Sequence, residues 1–271
     1  MIIGIIGLGV VGSANKYGFK KIGHKVFVHD IKLKTKIKNL IKTKIIFLCV
    51  PTPSNKNGSC NTSIVESVLN DLHNINYKGI ICIRSSTEPG FTEKVIKRYK
   101  NNKICFVPEF LRERMAKKDF IKNHELLAVG TKSKRIFKEV VKAHGKLPKN
   151  TKMLNPTEAE ILKYYINVFA SLRVTFANIF FEICQKFNCD YEKIKEAYIA
   201  TGRGSPNMYL SVTKNLRGYA GICLPKDTRT IISLLKKLKL DFDLIKSIHT
   251  DNQKYKKTIF KGMRFGKNLI N

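Results

Sequence analysis

The distribution of apolar residues divides the chain into two parts with different periodicities. In the first part, short runs rich in Ile, Val and Phe recur, and most of the gaps between them have room for a crossover helix. Runs that are apolar throughout are typical of parallel strands covered by helices on both faces. The pattern predicts an α/β fold with a doubly wound parallel sheet, whose six strands are Ile2–Ile6, Lys25–His29, Lys44–Val50, Gly79–Arg84, Ile104–Val107 and Leu126–Gly130.

A helical pattern follows the segment Leu147–Asn150. We predict a long helix with Thr157 as its N-cap, because Glu160 stands three residues later and the pair fits a capping box. From Ile161 to Ile183 apolar residues occupy most faces, which implies burial against more than one partner, including a second copy of the chain. A further helix is predicted from Thr228 to Leu240. The predicted organisation is a sheet domain at 1–150, a helical and dimer-forming domain at 151–252, and a basic tail at 253–271.

A glycine-rich loop directly follows the first predicted strand. It reads Gly7-Leu8-Gly9-Val10-Val11-Gly12 and opens a helix that ends near Gly23. The first two glycines permit a tight turn and close approach to a pyrophosphate, and the helix N-terminus offers N–H groups to that anion. Asp30 ends the second strand, where a carboxylate accepts from both ribose hydroxyls and repels a 2′-phosphate. The arrangement is typical of a Rossmann-type domain that binds NAD, and the alternative is a purely structural glycine turn.

Polar clusters stand where three successive strands end. Turn formation alone would explain their Pro and Gly residues. An open α/β sheet, however, binds ligands outside the carboxyl ends of its strands, and three clusters at that edge favour a shared cleft. The clusters are Val50-Pro51-Thr52-Pro53, Ser85-Ser86-Thr87-Glu88-Pro89-Gly90 and Val107-Pro108-Glu109-Phe110-Leu111-Arg112-Glu113.

Cys223 lies outside any apolar run, whereas Cys49, Cys82 and Cys105 lie inside such runs and are predicted to be core residues. Cys223 lies just before Pro225, which suits a first helical position, and it is followed by Lys226 and Asp227. A helix N-terminus and a nearby lysine both stabilise a thiolate, which is the nucleophilic form of the side chain. Two interpretations follow from the residues alone, a reactive cysteine and a buried structural one.

The charge of the chain is far from neutral. Fifty-one Lys and Arg residues against twenty Asp and Glu residues give a formal charge of +31. Such a charge attracts polyanions, but only ten of the bases are arginines, whereas recognition of phosphates and base edges favours arginine. We therefore expect a solvated basic surface and no nucleic-acid partner. The scattered, odd number of cysteines predicts a reducing compartment and no structural metal.

Membrane insertion is not expected from the sequence. The apolar N-terminus lacks a basic n-region and is interrupted by Gly4, Gly7 and Gly9. No uninterrupted apolar stretch reaches the ~18 residues that a transmembrane helix needs. We expect a soluble, cytoplasmic protein.

Six ordered motifs together resemble the UDP-glucose/GDP-mannose dehydrogenase family over almost the whole chain. They are Gly7-x-Gly9-x-x-Gly12, Val50-Pro51-Thr52-Pro53, Ser85-Ser86…Pro89-Gly90, Pro108-Glu109-Phe110-Leu111, Glu160-Ile161-Leu162-Lys163-Tyr164-Tyr165-Ile166-Asn167 and Gly221-Ile222-Cys223-Leu224-Pro225-Lys226-Asp227. The resemblance implies oxidation of the C6 alcohol of a nucleotide sugar to a carboxylate with two NAD+ in succession, UDP-glucose being the expected substrate.

The resemblance also assigns roles to side chains. Cys223 would form a thiohemiacetal and then a thioester, Lys163 and Asn167 would donate to the developing oxyanion, and Asp227 or Glu109 would move the proton or activate water. The predicted catalytic residues are Cys223, Lys163, Asn167, Asp227, Glu109 and Ser86. The predicted NAD-binding residues are Gly7, Gly9, Val10, Val11, Gly12, Asp30, Val50, Pro51, Thr52, Pro53, Ser85, Ser86, Glu113 and Lys226. The predicted substrate-binding residues are Glu109, Phe110, Leu111, Lys163, Asn167, Arg203, Lys214 and Tyr219.

The chain departs from the family pattern in two respects. Ala220 replaces a glycine and Ile222 a small polar residue, and Ala220 would be strained if its φ had to be positive. Family members usually continue into a second Rossmann-like domain that grips the nucleotide, and we expect that this part of the substrate cleft lies outside the 271 residues. Two alternatives stay open: a truncated relative that binds NAD with little turnover, and a polyanion-binding protein on a dinucleotide fold. Strong salt dependence on nucleic acid would favour the latter.

Overall fold

The protein is described here by a computed structural model, which describes residues 1–202 and 209–255. This part of the chain contains seven strands and nine α-helices, and the last four helices follow one another without a strand between them. The strands are β1 Ile2–Ile6, β2 Lys25–His29, β3 Ile45–Leu48, β4 Ile80–Ile83, β5 Ile104–Phe106, β6 Leu126–Gly130 and β7 Asn150–Leu154. The helices are α1 Val10–Lys21, α2 Ser63–Asn74, α3 Phe91–Tyr99, α4 Ala116–Lys122, α5 Lys134–His144, α6 Pro156–Lys186, α7 Tyr191–Ala200, α8 Cys223–Lys237 and α9 Asp243–Gln253.

The seven strands form one sheet in the order β2-β1-β3-β4-β5-β6-β7. All neighbouring pairs are parallel except β5 and β6, which pair antiparallel through Phe106 and Gly130. The prediction of a doubly wound, mostly parallel sheet is confirmed, and the six predicted strands are present with ends that differ by at most two residues. Strand β7 was not predicted, because most of its side chains are exposed and it therefore carries no apolar run.

The chain divides into two compact units. Unit 1 comprises residues 1–53 and 60–163, and unit 2 comprises residues 54–59 and 164–271. In unit 1 the sheet has an apolar core on each face, one containing Phe19, Phe47 and Phe120 and the other containing Leu72 and Phe106. Among the described residues of unit 2, a smaller core includes Phe181, Cys184 and Tyr191.

The start of α6 differs from the sequence prediction. The helix begins at Pro156, so the residue before it is Asn155, whose N–H and side-chain amide donate to Glu158 at 2.8 and 3.3 Å. The predicted capping box of Thr157 and Glu160 is therefore wrong. Proline is favoured at the first helical position, and it shifts the cap two residues toward the N-terminus. Glu160 is instead fully buried and binds the loop before α3, as described below.

Helix α6 is unusually long and apolar. Within the part of the chain that the structure describes, it is the helix whose length and composition would also suit a membrane span. The buried core helix of a soluble protein has the same composition. Polar side chains on α6, including Ser171 and Asn178, are buried in unit 2, and the expected absence of a membrane stays a prediction.

Helices in the last third of the chain begin and end differently from the predicted pattern. Helix α8 begins at Cys223 rather than after Pro225, so Pro225 lies in its first turn. A proline is tolerated there because the backbone N–H groups of the first turn have no partner within the helix, and the N–H that proline lacks is therefore not missed. The helices α7 and α9 were not predicted. The predicted basic tail lies outside the described residues from residue 256 onward.

Candidate active site

The predicted dinucleotide loop has the geometry that close approach of a phosphate requires. Gly7 has a φ of +88°, and a Cβ there would lie 2.7 Å from the carbonyl oxygen of Cys49. A Cβ on Gly12 would lie 1.8 Å from the carbonyl oxygen of Gly7, so a side chain at this position has no room. Helix α1 begins at Val10, and within the described residues no side chain caps its N-terminus. The loop therefore leaves helix N–H groups available to an anion.

Asp30 lies directly against this loop. One carboxylate oxygen accepts from the Leu8 N–H at 2.6 Å, and the other accepts from the Lys32 N–H at 2.9 Å. The bond from Leu8 is the main reason why the pKa of Asp30 is lowered, and burial opposes it only in part. The side chain is thus a fixed anion near the loop, as NAD selectivity requires.

The polar clusters at the ends of β3 and β4 are joined by a side-chain hydrogen bond. The Ser85 hydroxyl donates to the Val50 carbonyl at 2.7 Å, and Thr52 is buried beside Pro51 and Pro53 in the first cluster. Ser86 is half-buried in the second cluster, and Glu113 is half-buried in the third. The structure thus links two of these predicted NAD-binding loops to each other, and it ties the Ser85 hydroxyl to the backbone.

The loop that follows β4 is held by Glu160. The carboxylate accepts from the N–H groups of Gly90 and Thr92 at 2.7 and 2.8 Å, and from the hydroxyls of Thr87 and Thr92 at 3.1 and 2.6 Å. Burial raises the pKa of Glu160, and these hydrogen bonds offset the effect in part. Glu160 therefore holds the loop that contains Ser86, a role that the prediction of a capping box with Thr157 did not include.

Glu109 is buried and fully engaged by protein donors. One carboxylate oxygen accepts from Arg84 at 2.5 Å and Asn15 at 3.1 Å, and the other accepts from the N–H of Phe110 at 3.2 Å. The carbonyl oxygen of Glu109 accepts from the Lys163 ammonium at 2.6 Å. The structure thus brings the predicted residues Glu109, Phe110 and Lys163 together, with the Glu109 carboxylate paired to Arg84.

A second group of predicted residues meets within unit 2. Cys223 is exposed at the first position of α8, and Asp227 follows four residues later on the same helical face. The buried Asp227 carboxylate accepts from the Asn167 amide at 2.5 Å and contacts the Lys226 ammonium at 2.7 Å. This places an accessible thiol at a helix N-terminus, one turn from a carboxylate whose orientation is fixed.

The remaining predicted substrate residues have varied surroundings. Tyr219 is buried, with its backbone bonded to the Asn252 amide, so its side chain is part of the interior of unit 2. Lys214 is exposed, Phe110 and Leu111 are half-buried, and Arg203 lies outside the described residues. The positive φ in this region belongs to Gly221 at +81°, and Ala220 does not share it, so the strain that its methyl group would cause is not incurred.

Sequence reasoning missed three residues that organise unit 1. Asn15 and Arg84 both donate to the Glu109 carboxylate, and Arg84 also donates to Nε2 of the buried His144 at 2.5 Å. The sequence feature that could have indicated Arg84 is its position, as a charged residue, directly after the apolar run Ile80–Ile83. Within the described residues, no group of three or more His, Cys, Asp or Glu side chains is arranged to hold a metal ion.

Comparisons with known proteins identify the family of this chain. The NAD binding domain of the UDP-glucose/GDP-mannose dehydrogenase family matches residues 32–145, and its central domain matches residues 157–254. The UDP-glucose 6-dehydrogenase of Campylobacter jejuni is 28% identical over 96% of this chain and 74% of its own length. The UDP-glucose 6-dehydrogenase TuaD of Bacillus subtilis is 26% identical over 93% of this chain, which spans 63% of that relative.

A solved structure has the same fold. The UDP-glucose dehydrogenase of Pyrobaculum islandicum superposes with a TM-score of 0.84 at 23% identity, covering 93% of this chain and 68% of that one. The loop, the anion beside it and the matched domains define a protein of the NAD-dependent nucleotide-sugar dehydrogenase class. The chain belongs to the UDP-glucose/GDP-mannose dehydrogenase family, and NAD is the cofactor of its first domain.

Proposed function

We propose that the protein oxidises the C6 alcohol of UDP-glucose to the carboxylate of UDP-glucuronate, using two NAD+ in succession. The observation that carries this proposal is the position of Cys223, exposed at the first residue of α8, one turn before an Asp227 that Asn167 holds in place. A two-electron alcohol dehydrogenase has no use for such a nucleophile. A four-electron oxidation needs one, because a covalent adduct holds the aldehyde for the second oxidation.

The reaction would proceed in four balanced steps. The Gly7–Gly12 loop would hold NAD+, which would supply the hydride acceptor for both oxidations at C6. The first oxidation converts the alcohol to an aldehyde and releases a proton. The Cys223 thiol then adds to the aldehyde carbon to give a thiohemiacetal, and the second oxidation turns that carbon into a thioester with release of another proton. Water finally attacks the thioester carbon and the C–S bond breaks, which yields the carboxylate, returns the thiol and releases a third proton.

The other residues would support these steps from fixed positions. The Asn167 amide and the Lys163 ammonium would donate to the oxygen that becomes negatively charged at each stage. The Asp227 carboxylate would take the proton during alcohol oxidation and activate the final water, with the Ser86 hydroxyl orienting it. Because the Glu109 carboxylate is already paired with Arg84, its part in this scheme is to place its carbonyl oxygen against Lys163.

The two binding regions follow the predicted residue sets. Asp30 would accept from the adenosine ribose, and the NAD site would be completed by Val50, Pro51, Thr52, Pro53, Ser85, Ser86, Glu113 and Lys226. Substrate contacts would come from Phe110, Leu111, Lys214 and Arg203. The buried position of Tyr219 supports a packing role rather than a substrate contact.

We further propose that the protein works as a cytoplasmic homodimer formed through α6. In support, one face of this helix exposes large apolar side chains at helical spacing. They are Tyr165, Phe169, Phe176 and Phe180, with exposed fractions of 70%, 44%, 53% and 40%, and Phe187, directly after the helix, is 75% exposed. Exposed apolar surface of this extent is typical of a face that is covered in the assembled protein.

The test is a substrate panel assayed with the purified protein and NAD+. UDP-glucose, UDP-N-acetylmannosamine and GDP-mannose are offered separately, while NADH and the remaining sugar nucleotide are both quantified. The proposal predicts two NADH for each UDP-glucose consumed and slower oxidation of the others. Binding of NAD+ without oxidation of any sugar would instead support the alternative of a relative with little turnover.

A further inference from the structure

A charged side chain in the core of unit 1 has no role in the reaction as described above. Arg84 directly follows β4, and its side chain is completely buried, with its guanidinium carbon 4.9 Å from the ring centre of Phe47 and 6.0 Å from that of Phe120. A guanidinium group stays protonated in proteins, so this position carries a permanent charge inside an apolar core. Such a charge requires a buried partner.

Glu109 supplies the opposite charge. Its side chain is 7% exposed, and one oxygen lies 2.5 Å from Arg84 Nη1. His144 also faces Arg84, but its Nδ1 donates to the Val140 carbonyl at 2.8 Å, which leaves Nε2 to accept from Arg84 Nη2. Burial and the nearby Arg84 charge keep the pKa of His144 well below its ordinary value, and burial likewise lowers that of the neighbouring His124. Both imidazoles are therefore neutral at physiological pH, and Glu109 alone balances Arg84 among the described groups around it.

The same carboxylate fixes the peptide bond that follows it. Glu109 Oε1 accepts from the N–H of Phe110, which belongs to the same peptide unit as the Glu109 carbonyl. A trans peptide directs its N–H and C=O to opposite sides. When the carboxylate holds the N–H, the carbonyl is directed away from it, and there it accepts from the Lys163 ammonium at 2.6 Å.

From this chain of contacts we infer that Arg84 is a positioning residue for Lys163: it fixes the Glu109 side chain, whose bond to the Phe110 N–H orients the 109–110 peptide toward the lysine. The inference rests on the proposed function for the part that Lys163 plays in oxidation. According to this inference, the rate of sugar oxidation depends also on Arg84, although Arg84 touches neither substrate nor cofactor.

The variants separate positioning from general packing. Arg84→Met removes the charge at similar length, Arg84→Lys retains a cation that can still pair with Glu109, and Arg98→Met is a matched control that breaks an exposed Arg–Glu pair with Glu66 elsewhere in unit 1. Each full-length variant is characterised by kcat, KM for UDP-glucose, NAD+ affinity and melting temperature. Independently of activity, each is treated with formaldehyde and a reducing agent, and methylation of Lys163 is followed by peptide mass spectrometry, with exposed Lys94 as the internal reference.

Arg84→Met is expected to lower kcat about 10- to 100-fold, the cost of a small misplacement of a catalytic group, with NAD+ affinity within about twofold of the parent protein. Methylation of Lys163 relative to Lys94 should increase at least about threefold, because the ammonium loses a fixed acceptor. Arg84→Lys should recover most of both effects, and Arg98→Met should change neither. Unchanged Lys163 methylation in a folded Arg84→Met protein would overturn the inference.

A measurement on the unaltered protein covers the case in which Arg84→Met does not fold. Hydrogen exchange of the Phe110 amide should be strongly protected, as a bond to a buried carboxylate requires. Exchange at the rate of an exposed amide would also overturn the inference. If the parent protein oxidises no sugar, the proposed function fails, whereas methylation and exchange still test the placement of Lys163.

Discussion

The position and charge of the Asp30 carboxylate allow the preference for NAD+ over NADP+ to be predicted quantitatively. Its two oxygens are fixed by the N–H groups of Leu8 and Lys32, and its lowered pKa keeps it ionised at neutral pH. A 2′-phosphate bound beside the loop would meet this charge directly. Coulomb's law gives about 1 kcal/mol for two unit charges 4 Å apart in water and about 4 kcal/mol near a protein surface.

The magnitude follows from these limits. A phosphate monoester carries about 1.5 to 2 negative charges at pH 7, and Asp30 is half-exposed, so the water-like limit applies more closely. The repulsion is then about 1.4 to 2.8 kcal/mol, which corresponds to NAD+ binding about 10- to 100-fold more tightly than NADP+. The positive charge of Lys32, which also faces the carboxylate, places the expectation toward the lower end.

The assay is calorimetric titration of both cofactors against the parent protein and Asp30→Asn. In the variant we expect NAD+ affinity to fall about tenfold, because hydrogen bonds from the ribose hydroxyls to a charged acceptor are lost. NADP+ affinity should rise, because the repulsion between the carboxylate and the 2′-phosphate is removed, so that the preference for NAD+ disappears. Asp71→Asn, which removes an exposed carboxylate on α2, controls for the change in net charge. Equal affinities of the parent protein for NAD+ and NADP+ would refute the reasoning.

Two further predictions concern α6. Burial raises the pKa of Glu160 in the folded state, so its stabilising contribution is present below its ordinary pKa and is lost as the pH rises through the raised value. The unfolding free energy of the parent protein, measured in urea, should therefore fall relative to that of Glu160→Gln as the pH rises above about 4.5. A difference that does not change with pH would contradict the burial argument. The double variant Phe176→Asp/Phe180→Asp alters two exposed rings of α6 whose centres are 4.6 Å apart. Light scattering should report a dimer for the parent protein and a monomer for the variant. A monomeric parent protein at micromolar concentration would refute the proposed interface.

The sequence predicted the elements whose signals are local. Strands such as β1 and β3 are buried on both faces, so their apolar runs stand out from the flanking residues. Strand β7 lacks that signal because three of its five side chains are exposed and the other two are half-buried. The start of α6 was misplaced because Asn155 and Thr157, two residues apart, are both acceptable N-caps. Glu160, the expected partner of Thr157, instead binds the loop before α3, and Asn155 pairs with Glu158.

The candidate site was predictable to a similar extent. The glycine loop and Cys223 are defined by neighbours in the chain, and their positions could be read from spacing. The surroundings of Glu109 could not, because its partners Asn15, Arg84 and Lys163 come from α1, the end of β4 and α6. Whether a carboxylate faces a ligand or a buried guanidinium depends on packing between such distant segments, which composition and periodicity do not report.

The central claim is that oxidation proceeds through a covalent adduct on Cys223, and counting NADH for each sugar in Cys223→Ser tests it most directly. A serine hydroxyl is a far weaker nucleophile than a thiolate, so the variant should bind NAD+ normally but lose turnover to the carboxylate. The parent protein should form two NADH for each UDP-glucose, and so should Cys189→Ser, which alters another exposed cysteine of unit 2. Formation of two NADH for each UDP-glucose by Cys223→Ser, at the rate of the parent protein, would contradict the account.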